Sequence, residues 1–380
     1  MTGCGILLKG AWMNKDILAK LRAEDFTDGY YHFAEDLKKY PDAWCYVVYS
    51  QRGPGKTYSA LRYYLGHEKT IAYMKRTNDD VDIICASDSG LFYDLSPYKD
   101  INRDFGTDIH GQVIKKGLGG FWQNDSHGKP GGAPIGYAVS LNSVAKYKGM
   151  GLSECEAVLL DEFIPQKNEV VRRSEGEALL DFYMTVRRDR LKRGKPDLKL
   201  ILFANGVNIY TPVTDTLEII DDMAQMEATR QRYKYIENRG ILLHHIYAED
   251  VSGAAAEKAS GINKAMQDTA WGRVSLGGEL ANNDFSNVAG RSIKRMRPLI
   301  EVVYKLKNYY IYAGEDGSYY ACKSRGECLY KYDLQYENDQ KSFFYNWVPD
   351  LREACIEGRM KFSHYSMYDL IVNYKKHFTI

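Results

Sequence analysis

No segment of the 380-residue chain approaches the ~20 consecutive apolar residues that a membrane-spanning helix needs. The seven cysteines (Cys4, Cys45, Cys85, Cys155, Cys322, Cys328 and Cys355) contain no CxxC pair, their count is odd, and no signal peptide precedes them. That argues against a disulfide framework and a paired-knuckle zinc site, and it suits reduced thiols in a cytosolic protein. A dominant charge is also missing. The net charge of +1 gives no global basic field, although a local patch or a ring of subunits can still build a positive surface from a neutral chain. Internal repeats and low-complexity tracts are absent, which excludes solenoid and fibrous architectures.

What is present reads as ordinary globular protein. At 44% hydrophobic and 27% charged, the chain can bury a normal core, and its length suits two or three domains. The 31 tyrosines are unusual, but tyrosine serves cores, interfaces and stacking alike. The segment 14–23 has the spacing of a short amphipathic helix. WCYVVY at 44–49, TIAYM at 70–74, YAVSL at 137–141, EAVLL at 156–160 and LKLILFAN at 198–205 read as buried strands. Helical spacing follows the first of these and recurs over about 175–193, while 104–137 reads as hairpins or surface loop. Strands interleaved with helices predict an α/β domain with a mainly parallel sheet over 1–245. The small polar run at 252–261 and GGELANND at 277–284 suggest a connecting segment over 246–285. From about 299 the alternation predicts a β-meander turning at 314–317, then helices around 350–357 and 366–377, in a smaller α+β domain over 286–380. The pair His244 and His245 lies in an apolar stretch and reads as structural.

Between the first strand and its helix stands SQRGPGKT: Ser50, Gln51, Arg52, Gly53, Pro54, Gly55, Lys56 and Thr57. It matches the phosphate-loop template GxxxxGK[ST] except that Ser50 replaces the first glycine. Gly53 and Gly55 let backbone N–H groups turn toward phosphate oxygens. Lys56 reaches the β- and γ-phosphates, the Thr57 hydroxyl ligates Mg²⁺, and the helix directs its N-terminal dipole at the same anion.

The apolar strand at 156–160 ends in Asp161 and Glu162. A carboxylate at a strand end suits the magnesium water shell, the role assigned to Asp161. The adjacent Glu162 suits activation of water for attack on the γ-phosphate. This pairing favours an ATPase with an additional strand between the two motifs. Several cations stay ambiguous. Arg187, Arg188 and Arg190 are candidates for an arginine finger that completes a neighbouring subunit's site, or for cations favoured at a helix C-terminus. Lys146 and Lys148 precede a flexible GMG, Lys75 and Arg76 end the second strand, and Arg52 sits inside the loop. Asn205, at the end of the strand 198–204, is placed to sense the γ-phosphate or to cap the strand.

In this order and spacing, SQRGPGKT, LLDEFIP, ALLDFYMTVRRDR and LFANGVN resemble the DNA-packaging ATPases of small short-tailed bacteriophages over about 45–210. CIEGRMKFSHYSMYDLIVNY at 355–374 resembles the end of the same family. The resemblance implies a homopentameric ring motor of the additional-strand ATPase group, similar to FtsK/HerA and the large terminases. Such a motor uses ATP and Mg²⁺ to drive double-stranded DNA through the portal into a prohead, in the host cytoplasm and away from any membrane. Residue by residue, it places Lys56 on the P-loop lysine, Asp161 on the magnesium acid and Glu162 on the catalytic acid. It places Arg188 on the trans-acting arginine finger, Lys148 (or Lys146 after a small shift) on a second trans-acting basic residue, and Asn205 on the coupling residue. It also implies a C-terminal domain like an RNase-H-type nuclease that has lost cutting ability. The sequence agrees, since Glu301 stands on the first meander strand without a clustered set of carboxylates. Ser50, the first ~12 residues and 104–135 depart from the family, and a role for packaging RNA stays open. Two other readings remain: a helicase or partitioning ATPase of the same group, and a nucleotide-gated assembly module without turnover.

Overall fold

The computed structural model describes residues 13–86, 95–147, 152–165, 169–188, 190–206, 208–252, 265 and 285–378. The chain forms two compact units, Met1–Leu217 with Arg230–Ala281, and Glu218–Thr229 with Asn282–Ile380. The expected boundary at 245 needs correcting for one helix, because Glu218–Thr229 belongs to the second unit. Most of the expected connecting segment 246–285 lies outside the described residues.

The first unit contains α1 (Lys15–Arg22), α2 (Phe33–Lys39), β1 (Cys45–Ser50), α3 (Lys56–Gly66), β2 (Ile71–Lys75), α4 (Asn78–Cys85) and α5 (Lys99–Phe105). It continues with β3 (Ile109–Lys115), β4 (Leu118–Gln123), β5 (Gly136–Ser140), β6 (Ala157–Asp161), α6 (Glu175–Arg187), β7 (Lys199–Asn205) and α7 (Pro212–Thr216). After α8 (Ile220–Thr229), which lies in the second unit, β8 (Tyr233–Ile236) and β9 (Ile241–Ile246) complete it. The strands form one sheet in the order β3-β4-β5-β2-β6-β7-β1-β9-β8. From β5 to β9 every neighbouring pair is parallel. Strands covered on both faces must be apolar throughout, and all six residues of β1 are buried. Tyr46, Val48, Leu159, Ile201 and Phe203 join Leu18, Leu21, Phe33, Leu61 and Tyr64 of the first three helices in the main core.

Two local findings refine the sequence expectations. The stretch 104–137 is not merely surface loop. Its hairpin β3–β4 pairs antiparallel with β5 and extends the central sheet by two strands. The helix expected to reach 193 ends at Arg187, and a separate 3-10 turn covers Leu191–Arg193.

In the second unit, β10 (Met296–Tyr304), β11 (Lys307–Gly314) and β12 (Tyr319–Cys322) form the expected antiparallel meander. Its turn closes where Gly317 takes φ 75°, a left-handed conformation that favours glycine. β13 (Tyr330–Asp333) lies parallel beside β10 and β14 (Met360–Phe362) parallel beside β12. Helices cover Glu337–Asn346, Val348–Ile356, Tyr365–Val372 and Tyr374–His377. The Asp221 carboxylate of α8 accepts from the backbone N–H and the hydroxyl of Ser366, both at 2.9 Å, which ties α8 to the start of the third of these.

Candidate phosphate-binding site

Parallel pairing gathers the chemistry at one edge. Ser50 of β1 pairs with Asn205 of β7, Asp161 of β6 with Phe203 of β7, and Met74, next to Lys75, with Leu160 of β6. The strand β7 therefore lies between the phosphate-loop strand and the carboxylate strand, as the adjacent Asp–Glu pair predicts. Ligands of open α/β sheets bind outside such carboxyl ends. A cavity of about 220 Å³ lies there, lined by Gly53–Tyr58, Asp161, Glu162, Ala204 and Asn205.

The loop backbone is shaped for an anion. Gly53 (φ 94°) and Gly55 (φ 85°) adopt conformations that side chains disfavour, and Gly55 leads directly into α3. Lys56 is buried, and its ammonium donates to the Ser50 hydroxyl at 2.5 Å, to Gln51 O at 3.3 Å and to Asn205 Oδ1 at 3.2 Å. The departure at Ser50 thus has a use, because a glycine there would give Lys56 no side-chain oxygen. These three partners are neutral. Burial pushes the Lys56 ammonium down to about 8, against the pull of Asp161 and Glu162. A buried cation held by neutral oxygens gains from an anion beside it.

The carboxylates lie opposite the lysine. Asp161 Oδ1 accepts from the Thr57 hydroxyl at 3.0 Å, and Oδ2 from the Tyr73 hydroxyl at 2.7 Å. A hydroxyl and a carboxylate oxygen this close, at the start of a phosphate-loop helix, fit a magnesium ion with its water shell. Glu162 leaves the strand at φ 57°, an unusual conformation for a non-glycine residue and a strained one. The turn is held from two sides. The Phe163 N–H donates to Phe203 O at 3.0 Å. The Arg76 guanidinium donates to the carbonyls of Glu162 (3.3 Å) and Phe163 (3.0 Å). Arg76 in turn pairs with Glu175 at 3.0 Å and with Glu169. Lys75 Nζ bridges the acids, 3.3 Å from Asp161 Oδ2 and 3.1 Å from Glu162 Oε2. Burial lowers the Lys75 ammonium, but Asp161 and then Glu162 outweigh it and hold it above its ordinary value. The sequence left Lys75 and Arg76 without a role, and here they orient the acid pair.

The three arginines at and just after the end of α6 differ in their surroundings. Arg187 makes a two-pronged ion pair with Asp197 at 2.6 and 3.0 Å. Arg190 is buried, donates to the carbonyls of Pro196, Ser153 and Cys155, and lies 3.6 Å from Glu156. Arg188 is exposed at the helix C-terminus. Lys146 is exposed at the end of the 3-10 helix Leu141–Tyr147, whereas Lys148 lies outside the described residues. Arg52 is exposed on the loop. His244 is buried with Nδ1 2.8 Å from Asp36, and His245 stacks on Tyr49, so both serve the fold.

No protein-family model matches the chain, and no curated protein matches it by sequence. Solved structures do. A chain of the bacteriophage phi29 viral genome packaging motor assembly superposes with a TM-score of 0.62 at 17% identity, covering 91% of this chain and 98% of that one. The phi28 gp11 DNA packaging motor superposes with a TM-score of 0.57 at 13% identity, covering 92% and 97%. At such identities the likeness establishes a shared fold spanning almost the whole of each chain.

Proposed function

We propose that this chain is an ATP-driven double-stranded DNA translocase that packages a viral genome into a prohead. The observation that carries this reading is the single cavity bringing together Lys56, Thr57, Asp161, Glu162 and Asn205, with β7 inserted between the two motif strands. The fold shared with the phi29 and phi28 packaging motors supports DNA as the load in this reading.

In this reading Lys56 and the backbone N–H groups of Ser50–Thr57, Pro54 excepted, would bind the triphosphate of ATP, and Thr57 with Asp161 would hold magnesium. When bound, the metal would neutralise charge on the transferred γ-phosphoryl group and on the departing ADP. Glu162 orients and deprotonates the attacking water. Asn205, already hydrogen-bonded to Lys56, links the γ-phosphate position to the end of β7. Arg188 acts in trans in a ring, a homopentamer by resemblance, and Lys148 is its second trans-acting cation. Support for Arg188 comes from its exposed position at the C-terminal end of α6. The ring docks on the portal of the prohead in the host cytoplasm.

The second unit acts without cutting DNA. Glu301 accepts from Asn308 and Tyr310 and pairs with Lys331 at 3.1 Å, which commits its carboxylate to protein partners.

The test is hydrolysis of ATP by the purified chain with and without double-stranded DNA and portal-bearing proheads. Stimulation by DNA is expected. Arg188→Ala should lower turnover about 10³-fold or more while ATP still binds. Mixing it with Glu162→Ala should restore part of the activity at interfaces where an intact Arg188 faces an intact Glu162. A mixture no more active than its components removes the trans role. Turnover near zero with DNA and proheads present favours the nucleotide-gated assembly module instead.

A further inference from the structure

Tyr73 lies in the interior of β2 and is buried. Its neighbours on the strand, Ile71, Ala72 and Met74, are buried and apolar. A phenylalanine would fill the same core space without a hydroxyl that must be hydrogen-bonded. The hydroxyl that is there donates to Asp161 Oδ2 at 2.7 Å. Phe121 of β4 meets the Tyr73 ring edge-on, with 6.5 Å between centroids and 79° between planes. Phe121 in turn packs on Tyr98 at 5.2 Å. The β3–β4 hairpin, in the stretch that departs from the packaging-ATPase family, thus reaches the site through an aromatic contact.

Asp161 has to present one particular oxygen. The last torsion of an aspartate side chain is broad, so the residue alone does not fix where each oxygen points. Oδ1 takes the Thr57 hydroxyl at 3.0 Å, where the two would hold magnesium, and Oδ2 is tied back to β2. Lys75 also reaches Oδ2, at 3.3 Å, but it shares its ammonium with Glu162 and carries a charge that a divalent cation repels. A phenol keeps its proton at neutral pH and carries no charge, so the Tyr73 hydroxyl can stay in place beside a bound cation. Outer partners of this kind fix the direction of a metal-ligating carboxylate.

We propose that Tyr73 is the positioning residue for Asp161: its hydroxyl holds Oδ2 toward β2, so that Oδ1 stays aimed, with the Thr57 hydroxyl, at the magnesium position. This role rests on the reading of the site as an ATPase. Tyr73 touches neither nucleotide nor attacking water in it, so its effect falls on metal affinity rather than on the chemical step.

The test compares the full-length wild type with Tyr73→Phe, which removes one oxygen and keeps the ring against Phe121. Binding of a fluorescent, non-hydrolysable ATP analogue is titrated with magnesium and repeated in EDTA, with no turnover involved. Tyr73→Phe should raise the magnesium needed for half-maximal binding about tenfold, the scale of loss when the orienting partner of a metal ligand is removed. Binding in EDTA should match wild type, because the phosphate loop and Lys56 are untouched. Hydrolysis should fall at low magnesium and return toward wild type once magnesium saturates. An unchanged magnesium requirement in Tyr73→Phe overturns the proposal. So does an affinity that falls equally with and without magnesium, as a general loosening of the sheet predicts. Failure of the wild type itself to bind the analogue would instead overturn the ATPase reading.

Discussion

Arg76→Ala tests whether the turn bearing Glu162 is held by a buried ion pair. Arg76 and Glu175 are 6% and 2% exposed, and the guanidinium also satisfies the carbonyls of Glu162 and Phe163. Truncating the arginine leaves Glu175 as an uncompensated buried carboxylate, a loss of about 3–5 kcal/mol. For a unit of this size that corresponds to a fall in melting temperature on the order of 10 °C. The loss should depend on pH, in a direction fixed by Glu175. Burial already raises its carboxyl above the ordinary value, with Arg76 opposing, so removing Arg76 raises it further. A carboxyl raised on folding binds more protons in the folded state. Its contribution to stability is therefore full at low pH and is lost as pH rises through the folded value. The gap between Arg76→Ala and wild type should narrow between pH 8 and pH 5. Denaturant titrations at the two pH values measure it. Arg76→Ala with Glu175→Gln should recover much of the stability but not the hydrolysis, since the Glu162 turn still lacks its clamp. A gap that is constant with pH, or that widens toward pH 5, would refute the buried-pair argument.

Two further outcomes follow from the same site. Glu162 sits at φ 57°, so Glu162→Gly should be more stable than Glu162→Ala by about 1 kcal/mol, with both inactive, and equal melting temperatures would show that no strain is stored there. Lys56 is pushed down to about 8 and binds phosphate only when protonated, so affinity for a non-hydrolysable analogue should fall as pH rises above about 8, approaching tenfold per unit. Binding that stays flat from pH 7.5 to 9.5 would contradict that picture.

Much of this site was legible because its parts are local. A fully buried parallel strand must be an unbroken apolar run, so β1, β6 and β7 announce themselves, and the residues just beyond them fall at the sheet's carboxyl edge. Ser50, Lys56, Asp161, Glu162 and Asn205 are all found in this way. The helices α2, α4 and α5 were missed for a related reason. They span 7 or 8 residues and are too short to persist without the packing that covers them.

Lys75 and Arg76 were visible as cations but not as parts of the machinery. Their function is created by pairing across the sheet: β2 lies beside β6, though 81 residues or more of chain separate Lys75 from the start of β6 in no pattern that sequence spacing reveals. The three arginines around the end of α6 show the same limit from the other side. Arg187, Arg188 and Arg190 are chemically identical, and only Asp197 and the carbonyls of Ser153 and Cys155 tell them apart. Arg188 is exposed and Arg190 is buried, and that difference separates the outcomes of replacing them. Replacing Arg188 should cost turnover and little stability, whereas replacing Arg190 should cost stability first.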